Sequence, residues 1–445
     1  MKFNSIGLSG YLNKRFALQQ YGTDVKTELI AGLTTFATMA YTLAVIPKIM
    51  HDAGLPTGAV LTAMVIMIFL ATVAMGLYTN RPFALAPGLG SVAIFSVTLV
   101  QGQNIPWEVA SGIVFISGVV FILVTALGIR DLIVKIIPKG IKVSISAGVG
   151  LFICLLGFRN AKIIVANASK NTLDFGNLTN PIVILATIGF VILLILEARK
   201  VRGGVLLAIG LTTLIGIPMG ITKLPTSIFS FPSPISDIAF KLNILDALDI
   251  KYLPYLFAFF IPDFFSSLGT ALGVGGKAGF LDEKGDLPGI DKVFQVDSIA
   301  TTIASLFSIP VLLTYLESAS GVEAGGRTGL TAITTAMLFL LTLFITPIAL
   351  MIPSSATAPV LILVGMSMLK GMHNIDYTDI TEYLPAFLSI ALTIFTFNVG
   401  NGISAAIIVF VILKVASGRG KELQIGHYLL FLILLYYFYA LAHAG

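Results

Sequence analysis

The chain has 445 residues, of which 56% are hydrophobic and 11% charged, and carries a net charge of +5. Soluble domains carry roughly 25% charged residues, so this composition, with a mean hydropathy of +0.97, excludes a soluble protein and places the chain in a lipid bilayer. The single cysteine, Cys154, excludes a disulfide framework, and the basic excess does not indicate nucleic acid because the cations sort by loop.

A spanning helix needs about 20 apolar residues. Residues 1–26 are polar and basic for too long to be a cleavable signal peptide and are expected to form a cytoplasmic segment. Apolar runs then predict spans at 27–50, 58–79, 83–101, 107–129, 139–157, 181–198 and 203–221. After a Pro-punctuated connection over 222–250, further runs predict spans at 251–273, 293–309, 310–328, 329–352, 356–371, 381–397 and 399–416. The C-terminal segment, 417–445, holds one extra apolar helix over 425–443. The expected fold class is an all-α polytopic membrane protein with 14 transmembrane segments.

Lys and Arg concentrate in loops that face the cytoplasm. With the N-terminus inside, 20 of the 27 lie on the inner side, leaving Lys48, Arg159, Lys162, Lys170, Lys223, Lys241 and Lys251 outside. The expected location is the cell (inner or plasma) membrane, multi-pass, with a cytoplasmic N-terminus. The C-terminus lies outside if 425–443 spans, and inside if it rests along the interface.

Division at 222–250 leaves seven spans on each side, an odd number, so the halves 27–221 and 251–416 run with opposite orientations. Echoes support a duplication. KIIPKGIKVSISAGVGLFICLLGFRN (135–160) resembles ALMIPSSATAPVLILVGMSMLKGMHN (349–374) in its IP, its VG and its closing G-x-x-N, and each follows the fourth span of its half. FALAPGLGSVAIF (83–95) and TYLESASGVEAGG (314–326) both place small residues in the middle of a hydrophobic segment. Interrupted segments at matching places in inverted halves point to a transporter's binding site; the plainer reading is that small residues let ordinary helices pack.

Ionisable residues inside spans are costly and mark functional sites. Glu317 is the first, followed by Ser318, Ala319, Ser320 and Gly321, then by Gly325 and Gly326, where the helix is expected to break. Asp263 is the second; Pro262 before it removes a backbone donor, so capping of a kinked helix is its alternative role. Glu323, near Arg327 at the cytoplasmic end, is expected to pair with a cation or meet water. A carboxyl group in a low-dielectric setting takes up protons more readily than in water. Glu317 and Asp263 are therefore the expected proton-coupling residues, and a carboxylate can also accept from the N–H groups of a heterocycle. Ser91, Ser266, Ser267, Ser318 and Ser320 add hydroxyls, and Phe95, Phe264, Phe265 and Tyr315 could stack on a planar ligand, although packing suits each as well. NVGNG (398–402) reads as a tight turn and GVGGKAG (273–279) as a cytoplasmic loop. No HExxH, Walker lysine motif or placeable Ser-His-Asp set occurs, so no enzyme, metal or organic cofactor is expected. A proton gradient is the expected driving force, with sodium as the alternative.

ESASGVEAGGRTGLTA (317–332), AGLTTFATMAYTLAVIP (31–47), ALAPGLG (84–90), SSLGTALGVGGKAGFLDEKG (266–285) and VDSIAT (296–301) carry a resemblance. They are similar to hallmark segments of the AzgA-like branch of the nucleobase–cation symporter 2 (nucleobase–ascorbate) family, over nearly the whole chain. The resemblance implies two inverted seven-helix repeats folded into a core domain (about 27–129 plus 251–352) and a gate domain (about 139–221 plus 356–416). It further implies half-helices with short extended pieces in segments 3 and 10, substrate between them, proton-coupled uptake of purine bases, and a homodimer.

Carried over residue by residue, the family's tenth-span substrate-binding Glu is Glu317. The eighth-span carboxylate falls on Ser266, with Asp263 about one turn earlier. The third-span PGMGLNAFF becomes PGLGSVAIF, with Val92 in place of Asn, and Ile46 stands where the first span carries Asn. Each lost polar partner should weaken ordinary purines by roughly 1–3 kcal/mol. The expected substrate-binding set is Glu317, Asp263, Ser318, Ser91, Val92, Ser266, Ala319 and Phe264. The expected function is secondary active transport, the proton-coupled uptake of a purine nucleobase or related nitrogen heterocycle. An alternative keeps the fold for another small polar or cationic solute, with Asp263 and Glu317 as counter-charges. A channel or non-transporting sensor is a third reading, which broken helices around a midplane carboxylate argue against. Expected partners are a small-molecule substrate and the lipid bilayer, and no nucleic acid.

Overall fold

Inside a bilayer every peptide group must find a partner within the protein, so an apolar chain becomes helical and its helices end where Gly, Pro and capping side chains intervene. The computed structural model describes residues 8–128, 139–167, 172–201, 203–225, 227–283, 286–396 and 398–443. Of the cations used above for orientation, Lys2, Arg130, Lys135, Lys170, Arg202 and Lys284 lie outside the described residues.

After a short α1 (Leu8–Phe16), Asp24 caps α2 (Val25–Met39) by accepting from Thr27 N at 2.8 Å. The apolar run breaks at Ala40–Tyr41 and resumes as α3 (Thr42–Asp52), and α4 (Thr57–Thr79) follows unbroken. The third stretch starts as strand β1 (Leu85–Pro87), turns at Gly88 into α5 (Leu89–Ala93) and continues as a wider π-helix over Ile94–Gly102. α6 (Trp107–Ala126) and α7 (Lys139–Asn160) precede a hairpin of β2 (Ile164–Asn167) and β3 (Thr172–Phe175), and α8 (Pro181–Ala198) and α9 (Gly204–Gly216) close the first half. The second half contains α10 (Ile244–Ala247), α11 (Leu253–Lys277), α12 (Ile290–Ser305), β4 (Leu312–Thr314) and α13 (Ser318–Glu323). It goes on with α14 (Gly329–Leu341), α15 (Thr346–Met351), α16 (Ser354–Met368), α17 (Ile380–Phe395), α18 (Val399–Ala416) and α19 (Ile425–His443).

Among the described residues, eight helical stretches are long and apolar enough to cross a bilayer, and five shorter apolar helices accompany them. The fold is helical and membrane-embedded. Three details depart from the sequence reading. The β2–β3 hairpin, with Ile164 opposite Phe175, forms in a stretch expected to hold no strand, because Ile164, Val165 and Thr172 favour extended backbone. GVGGKAG is largely the last turns of α11, which runs on because Val274 is buried and Lys277 ion-pairs with Glu323 at 2.6 Å. NVGNG is the start of α18: Asn398 caps it by accepting from Asn401 N at 3.2 Å.

α14 packs on α4 and α2, α12 and α11 on α6, α16 on α7 and α8, α17 on α7 and α18, and α8 on α9. The 222–250 connection is pinned to neighbouring helix ends, with Phe240 N bonded to Leu306 O at 2.6 Å and Asn243 N to Glu108 O at 2.8 Å. Asn398 Nδ2 donates to Tyr255 OH at 3.0 Å, so α18 and α11 start side by side. α19 packs along α18 and also meets Ile250–Tyr252, the turn before α11, with His427 and Leu434 on its buried face. It therefore runs back from the far end of α18 to that start.

Candidate functional site

β1 and β4 cross antiparallel in the interior, with Leu85 opposite Thr314, Ala86 opposite Leu313 and Pro87 opposite Leu312. A strand pair has two bare edges, which lipid would leave unpaired. Side chains and flanking peptides cover them here. Thr72 Oγ1, from α4, accepts from Leu85 N at 3.0 Å and donates to Leu85 O at 3.3 Å. Thr301 Oγ1, from α12, donates to Leu312 O at 2.9 Å. Ser318 Oγ accepts from Ala84 N at 3.0 Å, and Tyr315 OH donates to Pro87 O at 2.6 Å. Gly88 N and Tyr315 N close the ends on Val311 O and Ala84 O, at 3.0 and 2.9 Å.

Glu317 follows this crossing and stands at the start of α13. It is half-buried, and its Oε1 accepts from Tyr41 OH at 2.8 Å. Tyr41 reaches it because α2 and α3 part there. Ser320 Oγ donates to the Glu317 carbonyl at 2.6 Å and also meets Thr38 Oγ1 at 2.9 Å, so the first apolar stretch and α13 are tied on both sides of the acid.

Asp263 lies on α11, 3% exposed, and its Oδ1 has no hydrogen-bond partner among the described residues. Its carboxyl is within electrostatic reach of Asp297 on α12, which is fully buried. Thr314 Oγ1, the last hydroxyl of β4, lies 3.0 and 3.1 Å from the two oxygens of Asp297 and donates to them.

The remaining expected residues are distributed as follows. Ser318 and Ala319 are buried in the first turn of α13, and Ser318 is committed to β1. Ser91 Oγ donates to Gly88 O at 2.8 Å, Val92 is fully buried, and Ser266 is exposed. Phe264 is in an aromatic layer, stacked on Phe294 at 5.3 Å and edge-on to Phe121 at 5.7 Å, and its ring packs there. Phe95 is fully buried, and the side chain of Phe265 lies outside the described residues.

Sequence reasoning missed Tyr41, Asp297 and a third buried acid, Glu28. Glu28 is structural: its carboxylate accepts from Arg327 N, Thr328 N and Thr331 N at 2.9, 3.3 and 3.1 Å, capping α14. Asp297 had a signal, an acid within the quoted VDSIAT; Tyr41 had none beyond its place in AGLTTFATMAYTLAVIP. Among the described residues no group of three or more His, Cys, Asp or Glu could hold a metal ion. A cavity of about 640 Å³ opens elsewhere, beside Lys48, His51, Arg159 and Lys162, and neither Glu317 nor Asp263 lines it.

A family model described as Permease family matches residues 26–409. A permease of Methanocaldococcus jannaschii is 42% identical over 424 residues, covering 95% of this chain and 96% of that protein. The adenine permease AdeP of Escherichia coli is 37% identical, covering 93% of each chain. The transmembrane domain of a cyanobacterium bicarbonate transporter, BicA, superposes with a TM-score of 0.60 at 18% identity, over 86% of this chain and 97% of that one. At that identity the likeness concerns the fold alone.

Proposed function

The chain belongs to the Permease family, and from this premise we propose that it imports a purine nucleobase together with protons. The observation that carries the reading is Glu317, held by Tyr41 beside the β1–β4 crossing, where two half-helices part and a carboxylate can accept from purine N–H groups. The adenine permease among its relatives makes adenine the first substrate to try. Glu317 and Asp263 are the proton-coupling pair in this reading. The rival reading, a cationic solute held between those two acids, is disfavoured by the adenine permease among the relatives.

The same reading takes the chain as fourteen segments in two inverted halves, 27–221 and 251–416. Its support is that packing partners recur under a shift of seven segments. α4 with α14 is matched by α12 with α6, α2 with α14 by α11 with α6, α7 with α17 by α16 with α8, and α17 with α18 by α8 with α9. The partners also sort into a core of α2–α6 with α11–α15 and a gate of α7–α9 with α16–α18. The protein then sits in the cell membrane with its N-terminus in the cytoplasm, as the basic residues favour, and pairs as a homodimer.

The test uses the purified chain in vesicles. Adenine at about 100 times its dissociation constant should stabilise the protein by about 2.7 kcal/mol, and an inward proton gradient should drive its accumulation. Glu317→Gln is expected to fold and to lose that accumulation. Proton-driven adenine uptake retained by Glu317→Gln would remove the site from the mechanism.

A further inference from the structure

We propose that the cavity beside Lys48 binds an oxyanion of the phosphate class, and that the bound group ties the core to the gate. The binding goes beyond the reading above; the tie rests on its division into core and gate.

The cavity, about 640 Å³, lies where several helices end on one face of the protein. On the core side its walls come from α3 with Lys48 and Asp52, from the start of α4 with Thr57, and from α15. On the gate side they come from the end of α7 with Arg159 and the start of α16 with Ser355. Lys162 adds a third cation, and Asp52 is the only carboxylate in the lining among the described residues. With His51 neutral, the lining carries an excess of two positive charges. Arg159 and Lys162 are exposed and form no ion pair among the described residues. Lys48 is half-buried and donates to the Ile352 carbonyl. On the orientation proposed above, these are three of the seven cations on the outer side, against the trend that keeps basic residues inside. Part of their charge answers the carbonyl ends of α3 and α7, so the cations by themselves do not make a site.

Two further observations point to a ligand. Helices α4 and α16 both start behind a proline, Pro56 and Pro353, and neither has a side-chain cap. The first N–H groups of a helix have no partner within it, and such open ends attract anions. Ser355, one residue into α16, is 2% exposed and lines the cavity, yet its hydroxyl has no hydrogen-bond partner among the described residues. A buried hydroxyl left unpaired is costly, and a bound acceptor oxygen relieves it. Hydroxyl, peptide N–H, ammonium and guanidinium groups are all donors, so the complementary ligand is rich in acceptors and negatively charged. A phosphate group meets both demands, and Arg and Lys are its usual partners. Ile182, Leu350 and Leu361 add apolar wall, so the group fits either as the free ion or as the headgroup of an anionic lipid. In both cases one ligand is held from α3 and α4 and from α7 and α16, and core and gate part only by breaking its contacts on one side.

The experiment titrates the purified chain in detergent with inorganic phosphate, ionic strength being held constant with chloride, and separately with short-chain phosphatidylglycerol against phosphatidylcholine. A saturable rise in melting temperature is expected. Saturation by inorganic phosphate assigns the free ion; saturation by phosphatidylglycerol alone assigns the headgroup. The double variant Arg159→Gln, Lys162→Gln is expected to raise the dissociation constant by about tenfold or more. Ser355→Ala is expected to weaken binding without lowering the melting temperature of the unliganded chain, which a merely structural serine would lower. No saturable rise with either probe, or parent-like affinity in the double variant, overturns the site. Amide hydrogen exchange is expected to show the end of α3 and the start of α16 protected together by the ligand; protection of one alone overturns the tie. Adenine exchange between equal pools in vesicles is expected to slow at saturating ligand in the parent and not in the double variant, and an unchanged rate in the parent also overturns the tie. A parent chain that carries no adenine overturns the substrate reading instead, and melting and hydrogen exchange still decide for the site.

Discussion

Gly150 of α7 and Gly365 of α16 face each other so closely that a methyl group on either would enter the other's backbone. A Cβ on Gly150 would lie 2.5 Å from the Gly365 carbonyl oxygen, and the reverse contact is tighter still. Both belong to the VG of the two echoed stretches, so the contact is self-complementary, as at a two-fold axis. Gly365→Ala is expected to cost about 1–3 kcal/mol by overpacking and to lower the melting temperature in detergent. Gly269→Ala, whose methyl would meet nothing within 4 Å, is expected not to lower it. Equal melting temperatures for the two variants would refute a tight seam.

Tyr41→Phe removes the only hydroxyl bonded to the Glu317 carboxyl among the described residues. A hydrogen bond to a charged group contributes about 1.5–3 kcal/mol, so adenine affinity should fall by about tenfold or more. Calorimetric titration measures this directly, and an unchanged dissociation constant would leave Tyr41 a packing residue.

At the far end of α18, Arg419 donates to Asp379 at 2.5 Å and to Glu422 at 2.7 and 3.0 Å, while Lys414 donates to Glu422 at 2.9 Å. The Arg419 guanidinium holds the Asp379 carboxyl well below the usual carboxylate range, and Arg419 and then Lys414 hold Glu422 at about 2. Both acids are depressed in the folded state. Their stabilisation is therefore complete above the ordinary carboxylate value of about 4 and drains away as pH falls towards about 2. Asp379→Asn should lower the melting temperature at neutral pH, by less at high salt, and the difference from the parent should shrink on acidification. A difference that grows as pH falls would reverse the sign.

α19 is 19 residues long, about 28 Å at 1.5 Å per residue and close to the hydrocarbon thickness of roughly 30 Å. Because it returns from the Arg419 end of α18 to Ile250–Tyr252, it is expected to cross the bilayer and leave the C-terminus outside. His443→Cys, in a Cys154→Ala background, should react with an impermeant maleimide applied to intact cells. Labelling only after the cells are opened would place the tail inside.

Glu317 and the broken segments 3 and 10 were legible because an acid among small residues in an apolar run has few other roles. Tyr41 was hidden, since a tyrosine in a membrane helix reads as packing until the break beside it is seen. Asp297 stood in the quoted VDSIAT and was passed over. Its helix opens with Asp291 and Lys292, so one more acid looks like a polar helix end. Phe264 shows the converse: with Phe260 one turn earlier and Phe294 and Phe121 around it, tertiary packing claimed a ring that the sequence could equally have offered to a ligand.

Thr72 and Thr301 perform the same service on Leu85 and Leu312, one from each half of the chain. Apart from Glu28, which caps α14, the buried acids are not shared in this way. Asp263, Asp297 and Glu317 all come from the second half, while the first half contributes Tyr41, Thr72 and the peptide groups of Ala84 and Pro87. On the two-fold reading, the duplicated halves have kept a common framework and divided the labour, with titratable chemistry left to one copy. Its inward- and outward-facing forms then need not be equal in energy, because the acids proposed to take up the proton all belong to the same half. If protons are the coupling ion, as proposed, their gradient sets the direction of transport, and this asymmetry sets only how the two forms of the frame are populated.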